Sequence, residues 1–193
     1  MPTALEVLAE EASTCTKCAL AHQGRTQVVF GMGDPDADLM FIGEGPGAEE
    51  DKQGLPFVGK SGKLLDKLML EELGVTRHKV YIANVVKSRP PGNRDPLPDE
   101  IAACWPWLER QIELIGPKVI VTLGRFAAQQ LLDTKEGINR LRGRVHPWRD
   151  GTVVVPTFHP AAVLRGGGEP MAQMRADLVR AKQVLAGAGV VVV

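Results

Sequence analysis

Apolar residues gather in four short runs along this chain, Leu39 to Gly43, Val80 to Val86, Val119 to Leu123 and Val153 to Phe158, each bounded by turn residues. The intervals carry helical spacing instead, over Ala4 to Ser13, Gly62 to Leu73, Asp99 to Ile115, Arg125 to Leu132 and Met171 to Ala186. Gly74 and Gly116 stand as stop signals behind two of these helices. Strands that alternate with helices imply a parallel sheet, and buried parallel strands need helices on both faces. The predicted fold is α/β, a three-layer α/β/α sandwich around a central, mainly parallel, four-stranded sheet.

At 193 residues, with no internal repeat or low-complexity stretch, the chain reads as one domain over residues 1–193. A hydrophobic content of 44% is enough for a full core at this size. The formal net charge of zero argues against a protein that coats nucleic acid through a uniformly basic surface, and leaves room for a local basic face. Residues 1–14 are acidic and amphipathic, and no apolar run approaches the roughly 20 residues that cross a bilayer. A soluble, cytoplasmic protein with no membrane association is expected. The apolar tail Val190 to Val193 is too short for more than packing or fraying.

Glycines follow the first apolar run directly, in Gly43-Glu44-Gly45-Pro46-Gly47, and an acidic stretch and an aromatic tip come after them in Glu49-Glu50-Asp51 and Leu55-Pro56-Phe57-Val58-Gly59. A glycine-rich turn at the carboxyl edge of an α/β sheet lets backbone approach a ligand closely, so this is the expected pocket for something flat or anionic. Two loops, Gly45 to Gly59 and Arg89 to Pro98, are longer and richer in proline and glycine than a connection needs, which marks them as functional candidates. A third is the basic segment Asn139 to Arg144. Gly54 to Ser61 also satisfies the G-x-x-x-x-G-K-S phosphate-loop pattern. Its context argues against nucleotide hydrolysis: residues 45–53 separate it from the strand, Pro56 removes an amide donor, and no later strand ends in an aspartate suited to magnesium.

Three cysteines fit a reducing compartment and a metal or cluster better than a disulfide framework. Cys15 and Cys18 form a C-x-x-C pair behind the first helix, and Cys104 lies in a distant one. A thioredoxin-like pair would instead open a helix after a strand. Iron-sulfur clusters and zinc are held by thiolate quartets, so three cysteines leave one position short. Unrelated buried thiols are the plain alternative.

The set Gly43 to Gly47 with Glu50-Asp51, Pro56-Phe57-Val58-Gly59, Asn84 within Ile82 to Lys87, Arg89-Pro90-Pro91-Gly92-Asn93-Arg94 and His159-Pro160-Ala161 resembles the family 4, iron-sulfur uracil-DNA glycosylases. The resemblance runs from about Cys15 to Arg165. It implies an α/β/α sandwich that flips uracil out of DNA and hydrolyses its N-glycosidic bond in base-excision repair, with uracil-containing DNA, single- or double-stranded, as partner and a monomer as the working form. It further implies that Phe57 stacks on the flipped base, that Gly45 lines the pocket, that Asn84 reads the O4 and N3–H edge, and that His159 stabilises the departing uracil anion. Glu44 and Glu50 are the candidates for positioning water. Leu164 and Arg165 would flank the gap left by the flipped base, with Arg140, Arg142 and Arg144 on phosphates.

The family's four cluster cysteines are matched at Cys15, Cys18 and Cys104, while Ser88 stands between Lys87 and Arg89 where the fourth is expected. Fifteen residues separate Ser88 from Cys104, an interval like the family's. A four-iron cluster with Ser88 as a ligand or nearby is the expectation, and a three-iron cluster the alternative. A relative of the family captures uracil-DNA covalently through a histidine in an extra basic loop, and no corresponding insertion is evident in this chain.

Overall fold

The computed structural model describes residues 1–189, so the expectation for Val190 to Val193 falls outside the described residues. Six strands form one sheet: β1 (Met32–Gly33), β2 (Leu39–Gly43), β3 (Tyr81–Asn84), β4 (Val119–Leu123), β5 (His146–Pro147) and β6 (Val153–Thr157). Their order is β1-β3-β2-β4-β6-β5, with β3, β2, β4 and β6 parallel and the two edge strands antiparallel. The four predicted strands are thus the parallel centre. The two-residue edge strands add to the predicted count because a pairing so short has no periodicity to read.

Among the described residues eight α-helices connect and cover the sheet: α1 (Ala4–Ser13), α2 (Ala48–Gln53), α3 (Lys60–Leu68), α4 (Pro98–Ile115), α5 (Arg125–Leu132), α6 (Ile138–Leu141), α7 (Pro160–Gly166) and α8 (Gly168–Gly187). The alternation of strand side chains divides the core between two faces. Leu39 and Phe41 of β2 pack with Leu65 and Leu68 of α3 and with Met174 and Leu178 of α8. Met40 and Ile42 pack with Leu108 and Ile112 of α4 and with Ala127 and Leu131 of α5. The result is the three-layer sandwich.

Local chemistry sets the helix ends. The Glu6 amide donates to Thr3 Oγ1 and the Thr3 amide to Glu6 Oε2, a reciprocal cap that starts α1. Behind α3 the helix widens into a π turn over Met69–Leu73 and stops at Gly74, whose φ of 77° is left-handed; Gly116, at φ 62°, ends α4 in the same way. The predicted loop over 45–59 in fact contains α2, whose short polar sequence carries no apolar stripe. That helix separates β2 from the Gly54 to Ser61 segment, unlike a phosphate loop, which leaves its strand directly.

Candidate active site

The carboxyl ends of the parallel strands open onto a cleft of about 440 Å³ whose walls include Glu44, Glu50, Phe57, Asn84, His159 and Arg165. Gly43, the last residue of β2, lies against two of these side chains. A Cβ there would lie 2.5 Å from both Asn84 Oδ1 and the Phe57 ring, so only glycine lets these two side chains meet over the strand end. Gly45 also lines the cleft, and a side chain there would strike the Val86 methyl at 2.6 Å.

Asn84 ends β3 and is 1% exposed, yet its Oδ1 has no hydrogen-bond partner among the described residues. A buried acceptor left open costs about 1–3 kcal/mol, which a ligand donor would recover. Phe57 is buried among core residues and also walls the cleft, its ring 5.7 Å from that of His159 and tilted by 33°. Its φ of 53° is left-handed, a strained conformation for an aromatic residue. Arg77 holds it there, because Nη2 donates to the Phe57 carbonyl at 2.8 Å and to Asp66 Oδ1 at 2.7 Å. From the other side, Gly62 leaves space that a Cβ would close to 1.7 Å from the same carbonyl oxygen. Sequence reasoning passed over Arg77, Asp66 and Gly62, and a basic residue in the turn before a strand carries no local signal of such a role.

Glu44 follows β2 directly, and its pKa is pushed up to about 7, first by burial, then by the negative charge of Asp95, with Arg125 partly offsetting both. Asp95 lines the same cleft and is bridged to Arg125 at 2.5 Å. His159 precedes α7, and its Nδ1 accepts the Ala161 amide at 3.1 Å. That bond leaves the ring proton of the neutral imidazole on Nε2. Burial, and then the Arg165 charge, lower the His159 pKa to about 4, so the ring is neutral at physiological pH.

Glu50 is placed differently from a free base. Its Oε1 accepts the Val58 and Gly59 amides, both at 2.9 Å, and so ties the Phe57 loop to α2. Around the cleft mouth, Leu164 is 51% exposed and Arg165 is exposed beside it. Arg140 and Arg144 are exposed too, whereas Arg142 turns inward. Arg142 Nε and Nη2 each bond to the buried Asp177 carboxylate at 3.0 Å, and Nη2 also reaches the Gln173 carbonyl. The expectation of Arg142 on phosphate is corrected accordingly: Asp177, fully buried, needs this charge to stay ionised.

A family model for the Uracil DNA glycosylase superfamily matches residues 30–181, which includes every cleft residue named above. The chain belongs to that superfamily. It is 49% identical to the Type-4 uracil-DNA glycosylase of Sulfurisphaera tokodaii over 83% of this chain and 76% of the relative. Against the enzyme of the same name from Thermotoga maritima the identity is 46%, over 94% of both chains. The Type-5 uracil-DNA glycosylase of Thermus thermophilus is 33% identical over 64% of this chain and 60% of the relative.

This superfamily member has a second pocket, away from the cleft, lined by Cys15, Cys18, Ser88 and Cys104 together with Arg25, Lys87 and Trp107. All three cysteines are free thiols, Cys104 being buried. Among the described residues no three ligating side chains stand ready around a single metal ion. A cluster, however, takes one ligand per iron and so accepts a wider spread. The donors around the sulfurs fit such a group: Trp107 Nε1 donates to Cys15 Sγ at 3.3 Å and the Lys87 amide to Cys104 Sγ at 3.2 Å, as N–H groups that stabilise cluster thiolates do. Three corners therefore suit an iron-sulfur cluster, and the fourth offers an oxygen.

Proposed function

We propose that this chain is a monofunctional uracil-DNA glycosylase that hydrolyses the N-glycosidic bond of deoxyuridine in DNA and leaves an abasic site, as a cytoplasmic monomer in base-excision repair. The observation that carries this reading is the orphaned Asn84 Oδ1, buried in a cleft walled by Phe57 and His159. In this account Oδ1 accepts the N3–H of uracil and the amide nitrogen donates to O4. Cytosine presents an unprotonated N3 and an amine at the same places, which mismatch both atoms. The names carried by the most similar relatives, Type-4 uracil-DNA glycosylases, support the same substrate.

Phe57 receives the face of the flipped base, and its pre-strained backbone removes a reorganisation cost at the moment of binding. As the bond between C1′ and N1 breaks, its electron pair leaves with uracil and negative charge grows on O2, where His159 Nε2–H donates. A neutral donor of low basicity stays protonated at Nε2 while it shares that proton with the anion. Glu44, ionised above about pH 7, takes a proton from the water whose oxygen bonds to C1′. Glu50 positions the Phe57 loop through its two amide contacts. Arg140, Arg144 and Arg165 contact phosphates, with Leu164 at the base gap. A bound cluster held by Cys15, Cys18 and Cys104, with Ser88 beside its fourth corner, would supply a structural tie between the amino-terminal segment, the exit of β3 and α4.

The test is release of uracil from a uracil-containing oligonucleotide in excess over protein. Many turnovers, with alkali-cleavable product, are expected. A denaturation-resistant protein–DNA adduct without turnover would replace this reading with covalent trapping, and neither product nor adduct would refute it.

A further inference from the structure

The fourth corner of the cysteine pocket is occupied by an internal contact. Ser88 is 5% exposed, and its Oγ accepts Arg25 Nη1 at 2.8 Å. Nη2 of the same guanidinium donates to the Cys15 carbonyl at 2.6 Å, so the planar fork is fixed at both ends and bridges the C-x-x-C loop to the exit of β3. Two of the other corners receive donors in the same sense but on a different atom. At Cys15 and Cys104 the nearby N–H donors point at sulfur, the arrangement that stabilises a metal-bound thiolate. At Ser88 the donor points at a hydroxyl oxygen, which is harder than thiolate sulfur and a weak ligand for cluster iron.

We propose that the cluster of this chain is anchored by Cys15, Cys18 and Cys104 alone, and that the iron at the Ser88 corner is exchangeable. The inference rests on the cluster assignment in the preceding section. It makes this pocket a site for a fourth, labile ferrous ion. Release is balanced as follows: the four-iron dication loses one ferrous ion and one electron and becomes the three-iron monocation. The electron goes to an added one-electron oxidant such as ferricyanide, which is reduced to ferrocyanide.

The experiment uses the full chain and its Ser88→Cys variant, each reconstituted anaerobically with iron and sulfide and then treated with ferricyanide and EDTA. Iron and sulfide are counted and electron paramagnetic resonance spectra recorded before and after, with a thermal melt to establish that both proteins are folded. The expected result is loss of one iron in four from the wild-type chain with appearance of a three-iron signal, reversed by ferrous ion and reductant, while Ser88→Cys keeps its iron and stays silent. Equal retention of iron by the two proteins would overturn the proposal, since it would make Ser88 a competent ligand. Iron uptake by Ser88→Cys but not by the wild type would also overturn it, because three cysteines would then be too few. Uptake by neither folded protein would instead refute the cluster assignment beneath it.

Discussion

The uracil cleft and the cysteine pocket lie at the two ends of one short stretch, since Asn84 closes β3 and Ser88 follows four residues later. They are finished in opposite ways. In the cleft an acceptor is left open at Asn84, and the surroundings are fixed by backbone: the close approach at Gly43, the left-handed Phe57, and the Arg77 and Glu50 contacts to loop amides and carbonyls. In the pocket the polar atoms already find partners within the protein, and the cysteines and Ser88 come from three distant segments. A site built on backbone geometry tolerates change in its flanks, whereas one built on four side chains would change chemistry with a single substitution, which is the case proposed for Ser88.

The comparison predicts that the two regions can be damaged separately. His159→Ala removes the donor to O2 and should lower kcat for uracil release by about 10²–10³-fold. Iron content should be unaffected, and parallel loss of iron would break the separation. Gly62→Ala, which pushes a Cβ into the Phe57 carbonyl, should cost about 10²-fold by misplacing the stacking ring, again with iron retained. The check is single-turnover rate beside iron analysis.

The pH profile sharpens the cleft side of the comparison. With Glu44 required as carboxylate and its pKa near 7, the single-turnover rate should fall about tenfold per pH unit below that value and level off above it. His159, neutral down to about pH 4, adds no limb in this range. Stability runs the other way for Glu44. Its folded pKa lies above the ordinary glutamate value of 4.5, so the fold binds the proton more tightly and loses stability as pH rises from 4.5 to 7. His159 has the opposite sign, since its depressed pKa costs stability as pH falls from 6.5 towards 4. Glu44→Gln should therefore abolish the rate limb and raise the melting temperature at pH 8.

The smallest effect concerns the rim. Arg140→Ala should weaken DNA binding and reduce the salt slope by about 0.9 without lowering the melting temperature. Arg142→Ala should do the reverse, with DNA affinity little changed and the fold destabilised because the buried Asp177 loses its two-point contact and keeps only the Thr157 hydroxyl and the longer Arg180 bridge.

The parallel centre of the fold was legible because β2, β3, β4 and β6 are apolar along their length, as strands covered on both faces must be. The edge strands β1 and β5 were not, at two residues each, and neither was α2, where Ala48 to Gln53 offers no apolar face. At the cleft, Glu44, Asn84 and His159 were visible as motif residues at strand ends, and Phe57 as the aromatic tip of a glycine-rich loop. The Arg77 clamp was invisible because a guanidinium reaching a carbonyl twenty residues earlier leaves no trace in spacing. Arg142 was misread for a related reason: a basic cluster reports charge, and only the packing of α8 against β6 shows that this one side chain serves Asp177.

The central claim is that Asn84, held over Gly43, selects uracil for excision by the His159 and Glu44 pair. Its most direct test is base release from uracil- and cytosine-containing oligonucleotides by the wild type and by Asn84→Asp, in multiple turnover. The account predicts repeated release of uracil and none of cytosine by the wild type, with uracil release strongly reduced in the variant. An unchanged uracil rate in folded Asn84→Asp, or equal release of both bases by the wild type, would contradict it.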